Sequence, residues 1–320
     1  MENTRAKTTR NSLILLLTAT IWGMAFVSQS KGMDYMHPFT FNGVRSLIGA
    51  AGILVYILIS RKIAGDKAAK LDWKLNVRAG LLCGIFLTIA STLQQFGIKY
   101  TSVGKAGFIT TLYIIFVPMF GVFLKKKVAP VVWAAAGMAA VGMYLLCMTE
   151  SLRLGAGDIM VFLCAIAFAI QIMTVDHYAA RIDGAVVSCI QFTVCGVVCC
   201  IGALIWGQPT FGQIQEGLGA LLYAGVLSCG VGYTLQIVGQ KGLNPTVAAL
   251  IMSLESVIAT ISGWIAYKIG FLSTDQTLTP RQIAGCVIVF AAVILVQLPP
   301  EWFPVSYTHL RAHETLANLV

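Results

Sequence analysis

The sequence predicts an all-α polytopic membrane protein, with ten transmembrane helices arranged as two inverted five-helix repeats. Three observations predict it. Of 320 residues, 58% are hydrophobic and only 11% charged, against about 25% charged in an ordinary soluble domain. The apolar residues fall into ten long segments, and about 20 such residues suffice to cross a hydrocarbon core of about 30 Å. The chain also repeats itself without a gap. Ala25, Phe26, Gln29 and Asp34 recur 142 positions later as Ala167, Phe168, Gln171 and Asp176, and Gln94, Gly97 and Lys99 recur as Gln236, Gly239 and Lys241. Five spans per repeat is an odd number, so the second copy must enter the bilayer upside down.

After a cytoplasmic N-terminus over 1–11, the first repeat covers 12–148 with spans at 12–30, 38–60, 77–97, 103–124 and 129–148. The second covers 156–298 with spans at 156–176, 184–206, 217–239, 245–267 and 281–298. Segment 1 is long enough to span, and no small-residue cleavage site follows it, so it reads as a helix rather than a removable signal. Segment 3 carries Gly80-x-x-x-Gly84 and segment 8 carries Gly225 to Gly232, small residues that let helices approach closely. The run Lys125 to Lys127 closes segment 4 as a solvated cytoplasmic anchor. Past Pro304 the chain turns abruptly polar; 305–320 resembles translated adaptor read-through and is set aside as a non-native tail with its two histidines.

The net charge of +9 does not point to nucleic acid, because the basic residues sit between apolar segments as topology signals. With the N-terminus inside, the inner side carries fourteen basic residues: Arg5, Lys7, Arg10, Arg61, Lys62, Lys67, Lys70, Lys74, Arg78, Lys125 to Lys127, Arg181 and Lys241. The outer side carries only Lys31, Lys99, Lys105, Arg153, Lys268 and Arg281. The positive-inside rule then places both termini in the cytoplasm. Trp73, Trp133, Trp206, Trp264 and Trp302 fall near interfaces, whereas Trp22 sits near the midplane, where its N–H needs a partner or a polar cavity. All nine cysteines lie in apolar segments and read as small packing residues, with no metal set completed around Cys195 and Cys199.

Two ionisable residues lie within spans. Glu255 is at the midplane of segment 9, where a charge costs about 3 kcal/mol on insertion scales. It is therefore protonated, paired or facing a wet cavity: a substrate- or proton-binding carboxylate, or else a hydrogen-bonded tie between helices. Its counterpart in the first repeat is Tyr113, so the halves differ at the centre. Arg45 lies about two turns into segment 2, and its expected role is to snorkel to the surface or to form a structural ion pair. Gln29 and Gln94 end segments 1 and 3 near the outer surface; Gln171 and Gln236 end segments 6 and 8 near the inner one. Each pair is a possible gate at one end of a central pathway, or a set of interfacial amides satisfied by water. Asp34 and Asp176 cap or anchor loops.

These residues resemble the drug/metabolite transporter superfamily, specifically its EamA-type transporters. The resemblance covers about 12–298. It rests on Trp22–Gly23 with Ala25–Phe26, on Pro38 with Arg45 seven residues on, on Ser253–Leu254–Glu255, on Gly137 and Gly285, and on the gapless duplication. There are departures. Lys125–Lys127 and Tyr267–Lys268 stand where members usually carry a Gly-Glu pair, and Ser256 stands where a proline often follows the glutamate. The resemblance implies export of a small metabolite, amino acid or toxic compound through a cavity lined by helices 1, 3, 4, 6, 8 and 9, in some members coupled to protons. Trp22, Tyr113 and Glu255 fall on three of those helices near mid-depth, which makes them the expected substrate-binding residues.

Inverted repeats of this kind are typical of secondary transporters working by alternating access about a midplane site. Glu255 is expected to take an amine-bearing group or a coupling proton, Trp22 a cation–π contact, and Tyr113 a hydroxyl contact. The alternative is a membrane-embedded enzyme acting on lipid-linked substrates. It lacks a catalytic set: there is no His-rich metal motif, Gly-x-Ser-x-Gly elbow or carboxylate cluster, and only His37 and His177 precede the tail. No phosphate-binding loop supports an ATP-driven pump. The expected protein is thus no enzyme and needs no cofactor or metal. Its partners are a small-molecule substrate, the lipid bilayer and, as an open choice, protons; nucleic acid is not among them, and the oligomeric state is left open. Its expected place is the cell inner membrane.

Overall fold

The computed structural model describes residues 2–65, 71–125, 130–147, 155–272 and 276–297. The tail 305–320, Lys126, Lys127, Arg153 and Trp302 lie outside the described residues. The described chain is helical, with α1 (Glu2–Gly32), α2 (Pro38–Ala64), α3 (Trp73–Ile98), α4 (Val103–Phe123), α5 (Pro130–Cys147), α6 (Ala156–Ala179), α7 (Gly184–Gly207), α8 (Leu218–Gln240), α9 (Pro245–Lys268) and α10 (Pro280–Gln297). The short helix Phe211–Glu216 lies between α7 and α8. Among the described residues, eight helices are long and apolar enough to cross a membrane, and α5 and α10 are shorter apolar helices.

Local chemistry sets where these helices begin. Pro38 and Pro245 occupy first-turn positions, where a missing N–H costs nothing and a fixed φ favours the helix. His37 accepts from the Phe39 N–H and Asn244 from the Thr246 N–H. Asp183 caps α7 by accepting from Ala185 and Val186, and Ser102 caps α4 by accepting from Lys105. Each satisfies a backbone donor that the first helical turn leaves unpaired.

Lipid tails are as apolar as leucine, so a membrane helix can turn its polar or small face inward and its large apolar face outward. In α2 the buried residues include Asn42, Arg45, Ser46 and Gly49, spaced at helical intervals, together with Phe41, Ile53 and Ile57, while Leu54, Val55 and Leu58 are exposed. Trp73, Trp133 and Trp206 are likewise exposed.

The helices pack in crossing pairs. α1 lies on α8 and α9, and α6 lies on α3 and α4; α2 contacts α7 and α8, and α3 contacts α7. α4 meets α9, and α5 meets α10. Close approach at one end of the bundle depends on glycine. A Cβ on Gly97 would stand 2.8 Å from the Gly157 carbonyl oxygen and overlap Val161, so α3 and α6 touch backbone to backbone there.

Four helices are not regular throughout. α4 is interrupted at Leu112 and α9 at Ser253, and α-helical geometry gives way to π-helical geometry at Ala203–Gly207 in α7 and Tyr223–Gly232 in α8. In α4 and α9 a hydroxyl stands at the break. Thr111 Oγ1 donates to the Phe108 carbonyl at 2.9 Å and Ser253 Oγ to the Leu250 carbonyl at 2.7 Å. Hydroxyls that bond back onto preceding carbonyls perturb and bend a helix. Thr111 and Ser253 lie 142 positions apart, and the same hydroxyl arrangement stands just before Tyr113 and just before Glu255.

Candidate functional site

The interruptions in α4 and α9 sit at the wall of a central cavity. Tyr113 follows the first and Glu255 the second, and the Tyr113 Oη donates to Glu255 Oε1 at 3.0 Å. Both side chains are buried, at 2% and 4% exposure. Trp22 of α1 faces the same space with its ring 4.5 Å from that of Tyr233. The three residues expected to bind substrate therefore share one wall.

The four glutamines also line this cavity, which differs from their expected places at wet helix ends. All four are buried. The expected gates differ as well. Gln236 Nε2 donates to Gln171 Oε1 at 3.2 Å, closing one pair. Gln94 instead donates to Thr110 Oγ1 at 3.2 Å, and the Gln29 carbonyl accepts from Gln95 Nε2. One pair is thus bonded and the other separately engaged. Their burial follows from packing: α1 lies on α8 and α9 and α6 on α3 and α4, so side chains on those faces are covered even near the helix ends.

Arg45 overturns its expected role. Its side chain does not snorkel; it is 5% exposed and lines the cavity. Nor is it ion-paired, since the ion pairs among the described residues are Lys31–Asp34 and Lys105–Asp158. Its Nε donates to Asn42 Oδ1 at 3.0 Å, and Asn42 is held by Ser91 Oγ and the sulfur of Cys199. The guanidinium lies 5.5 Å from the Phe41 ring centroid. Packing set its direction: the polar stripe of α2 faces α7 and α8, and the lipid side of that helix is apolar. The spacing of Asn42, Arg45, Ser46 and Gly49 was the sequence signal that could have revealed this. Sequence reasoning also missed Tyr233, Ser228 and Thr110 on the cavity wall. Cys195 and Cys199 are buried nearby as free thiols in contact with Ser91, Ser46 and Asn42.

The cavity measures about 30 Å³, space for a water molecule or two and not for a metabolite. Several buried polar atoms around it have no hydrogen-bond partner: Trp22 Nε1, Gln29 Oε1, Gln171 Nε2 and Gln236 Oε1. Buried donors and acceptors are normally paired, so this concentration marks a place where an incoming polar molecule would be met by ready partners.

The two ends of the bundle are held by different chemistry. At one end Lys105 Nζ lies 2.6 Å from Asp158 Oδ2, and Asp158 also accepts from Thr101 Oγ1 at 2.9 Å and the Gly155 N–H at 2.8 Å. At the other end the contacts are amide-based. Asn11 Nδ2 donates to the Lys241 carbonyl at 2.7 Å, and Gln240 Nε2 to the Ile172 carbonyl at 3.4 Å. The positions equivalent to Lys105 and Asp158 in the other repeat are Val247 and Leu16, which cannot form an ion pair.

Comparison with known proteins agrees with the helical membrane architecture. The sequence profile of the EamA-like transporter family matches residues 10–148 and again 155–298. An uncharacterized transporter of Archaeoglobus fulgidus is 28% identical over 290 residues, covering 89% of this chain and 84% of the relative. The uncharacterized transporter YwfM of Bacillus subtilis is 24% identical, with 91% and 94% covered. A chain of known crystal structure superposes with a TM-score of 0.69 at 16% identity, over 90% of this chain and 96% of that one, a likeness of fold. Set against these matches, the alternative of a lipid-active enzyme loses its footing. A profile that accounts for nearly all of the chain in two successive matches makes this multi-pass membrane protein a transporter of the EamA-like family, within the drug/metabolite transporter superfamily.

Proposed function

We propose that the chain is a secondary carrier that exports a small metabolite, amino acid or toxic compound by alternating access, its two five-helix repeats (12–148 and 156–298) rocking about the central cavity. The observation that carries the reading is the Tyr113–Glu255 contact. The two residues are 142 positions apart, which is the repeat spacing. Equivalent positions of two units related by a two-fold axis can touch only near that axis.

The helix contacts support the same reading, because they interchange when the repeats are swapped. α1 on α8 corresponds to α6 on α3, α1 on α9 to α6 on α4, and α2 on α8 to α7 on α3. The pairs α2–α7, α4–α9 and α5–α10 map onto themselves. In the proposed orientation both termini are cytoplasmic, in the cell inner membrane, and the Lys105–Asp158 end faces outward. Trp22, Tyr113 and Glu255 contact substrate, and Glu255 takes an amine-bearing group or a coupling proton. Gln29 with Gln94 and Gln171 with Gln236 move as the outward and inward faces of the pathway open.

The test is reconstitution of the full chain in proteoliposomes, with efflux of labelled amino acids, amines and toxic cations followed with and without a pH gradient. Wild type is expected to move at least one class. Glu255→Gln is expected to lose the response to the gradient. Full gradient-driven efflux by that variant would remove the coupling role from Glu255.

A further inference from the structure

The cavity holds a cation as well as a carboxyl, and the cation is the less expected of the two. Arginine keeps its charge across the physiological range and presents a planar fork of N–H donors. Arg45 is buried, lines the cavity, and has no carboxylate within ion-pair distance among the described residues. Its hydrogen bond to Asn42 uses Nε. The two terminal nitrogens, the pair that grips a carboxylate bidentately, are left without a protein partner. A buried cation within an apolar span that has a ring and an amide but no carboxylate for company is rare and is a candidate for a functional pathway.

A second, independent observation points the same way. Two further donors, Trp22 Nε1 and Gln171 Nε2, are buried without partners in the same cavity. Glu255, by contrast, already accepts from Tyr113. The unspent capacity of the site therefore includes, beside the acceptors Gln29 Oε1 and Gln236 Oε1, two donors that can join Arg45 in meeting an anionic group.

We propose that Arg45 anchors a carboxylate of the transported molecule, so that the carrier selects carboxylate-bearing solutes over the simple amines that Glu255 alone would favour. The proposal rests on the carrier reading given above. A carboxylate fits better than a phosphate: it is planar like the guanidinium, and it brings one negative charge rather than two into a site that already contains Glu255. Asn42, clamped by Ser91 and Cys199, holds the Nε side of the fork and acts as a positioning residue. The cavity of about 30 Å³ has no room for such a solute, so binding accompanies parting of the helices.

The experiment uses the purified full chain and two matched sets of probes: leucine, 3-methylbutylamine and 4-methylpentanoate; phenylalanine, phenethylamine and 3-phenylpropionate. Thermal stabilisation reports binding, because a ligand that binds the native state raises its melting temperature. Wild type is expected to be stabilised by carboxylate-bearing members and not by the two amines. Arg45→Gln is expected to lose that stabilisation, and Arg45→Lys to weaken apparent affinity by about tenfold or more, as the bidentate geometry is lost. Equal stabilisation by an amine and its parent amino acid, unchanged binding in Arg45→Gln, or no stabilisation by any carboxylate probe would each overturn the proposal. If Arg45→Gln does not fold, Arg45→Lys decides. Flux of the same labelled probes in proteoliposomes separates the two readings. Arg45-dependent binding without flux in wild type keeps the anchor and defeats the carrier; flux of the carboxylate probes undiminished in Arg45→Gln keeps the carrier and defeats the anchor.

Discussion

Glu255 and Tyr113 show how one hydrogen bond can join two halves of a chain. The carboxyl is buried and its bond to the Tyr113 hydroxyl is the one it makes among the described residues. Removing a single partner of a buried pair leaves the other unsatisfied, at about 1–3 kcal/mol. Tyr113→Phe is therefore expected to lower the melting temperature of the purified protein. A double-mutant cycle with Glu255→Gln isolates the pair: a coupling energy near zero would mean that the bond seen here contributes nothing. The sequence identified both residues by depth and repeat register. It could not reveal that they touch, because contact between positions so far apart depends on how the repeats cross. Arg45 is the opposite case. Its depth alone favoured snorkelling, and only its helical phase with Asn42, Ser46 and Gly49 pointed inward.

Among the elements, the interrupted helices and the glycine contacts carry the most information. The turns at Leu112 and Ser253 coincide with hydroxyls at equivalent positions; hydropathy, which scores only how apolar a segment is, registers neither. At the meeting of α3 and α6 a side chain on Gly97 would meet the backbone of Gly157, and backbone yields less readily than a side-chain tip. Gly97→Ala is expected to destabilise by about 1–3 kcal/mol, the usual range for overpacking. Gly137 has open space around it. Gly137→Ala is expected to be neutral or to stabilise by about 0.5–1 kcal/mol, since alanine is the better helix former. Thermal unfolding of the two variants side by side checks both values, and equal effects would show that the close approach at Gly97 does not matter.

For the whole molecule, the unlike contacts at the two ends lead to an asymmetric expectation. One end is held by the Lys105–Asp158 pair and the other by amides. Asp158→Asn removes the charge and leaves Lys105 without its partner, so the Lys105 end is expected to open more often and the other end no more often than before. Cysteines at 94 and at 171, placed one at a time in a background without the nine native cysteines, would report this by thiol labelling. Faster labelling at 94 alone is the expected outcome; an equal change at both sites would mean that the ion pair does not latch that end. Paired cysteines at 29/94 and 171/236 test the glutamines in the same way. Crosslinking that is equal at both pairs and indifferent to substrate would remove their role in gating.

What the sequence determined by itself was the solvent, the approximate spans and the candidate residues. Composition alone demanded a bilayer, apolar length drew helices whose ends shift by a few residues, and the repeat register singled out Tyr113, Glu255 and the four glutamines. Those properties are local or periodic, and a linear chain displays them directly. The tertiary structure alone decided that the candidates converge on one small cavity, that Arg45 joins them there, and that one end of the bundle is held by an ion pair and the other by amides. Helix phase and crossing set these outcomes, through backbone contacts such as Gly97 on Gly157 that bring together residues far apart in the chain.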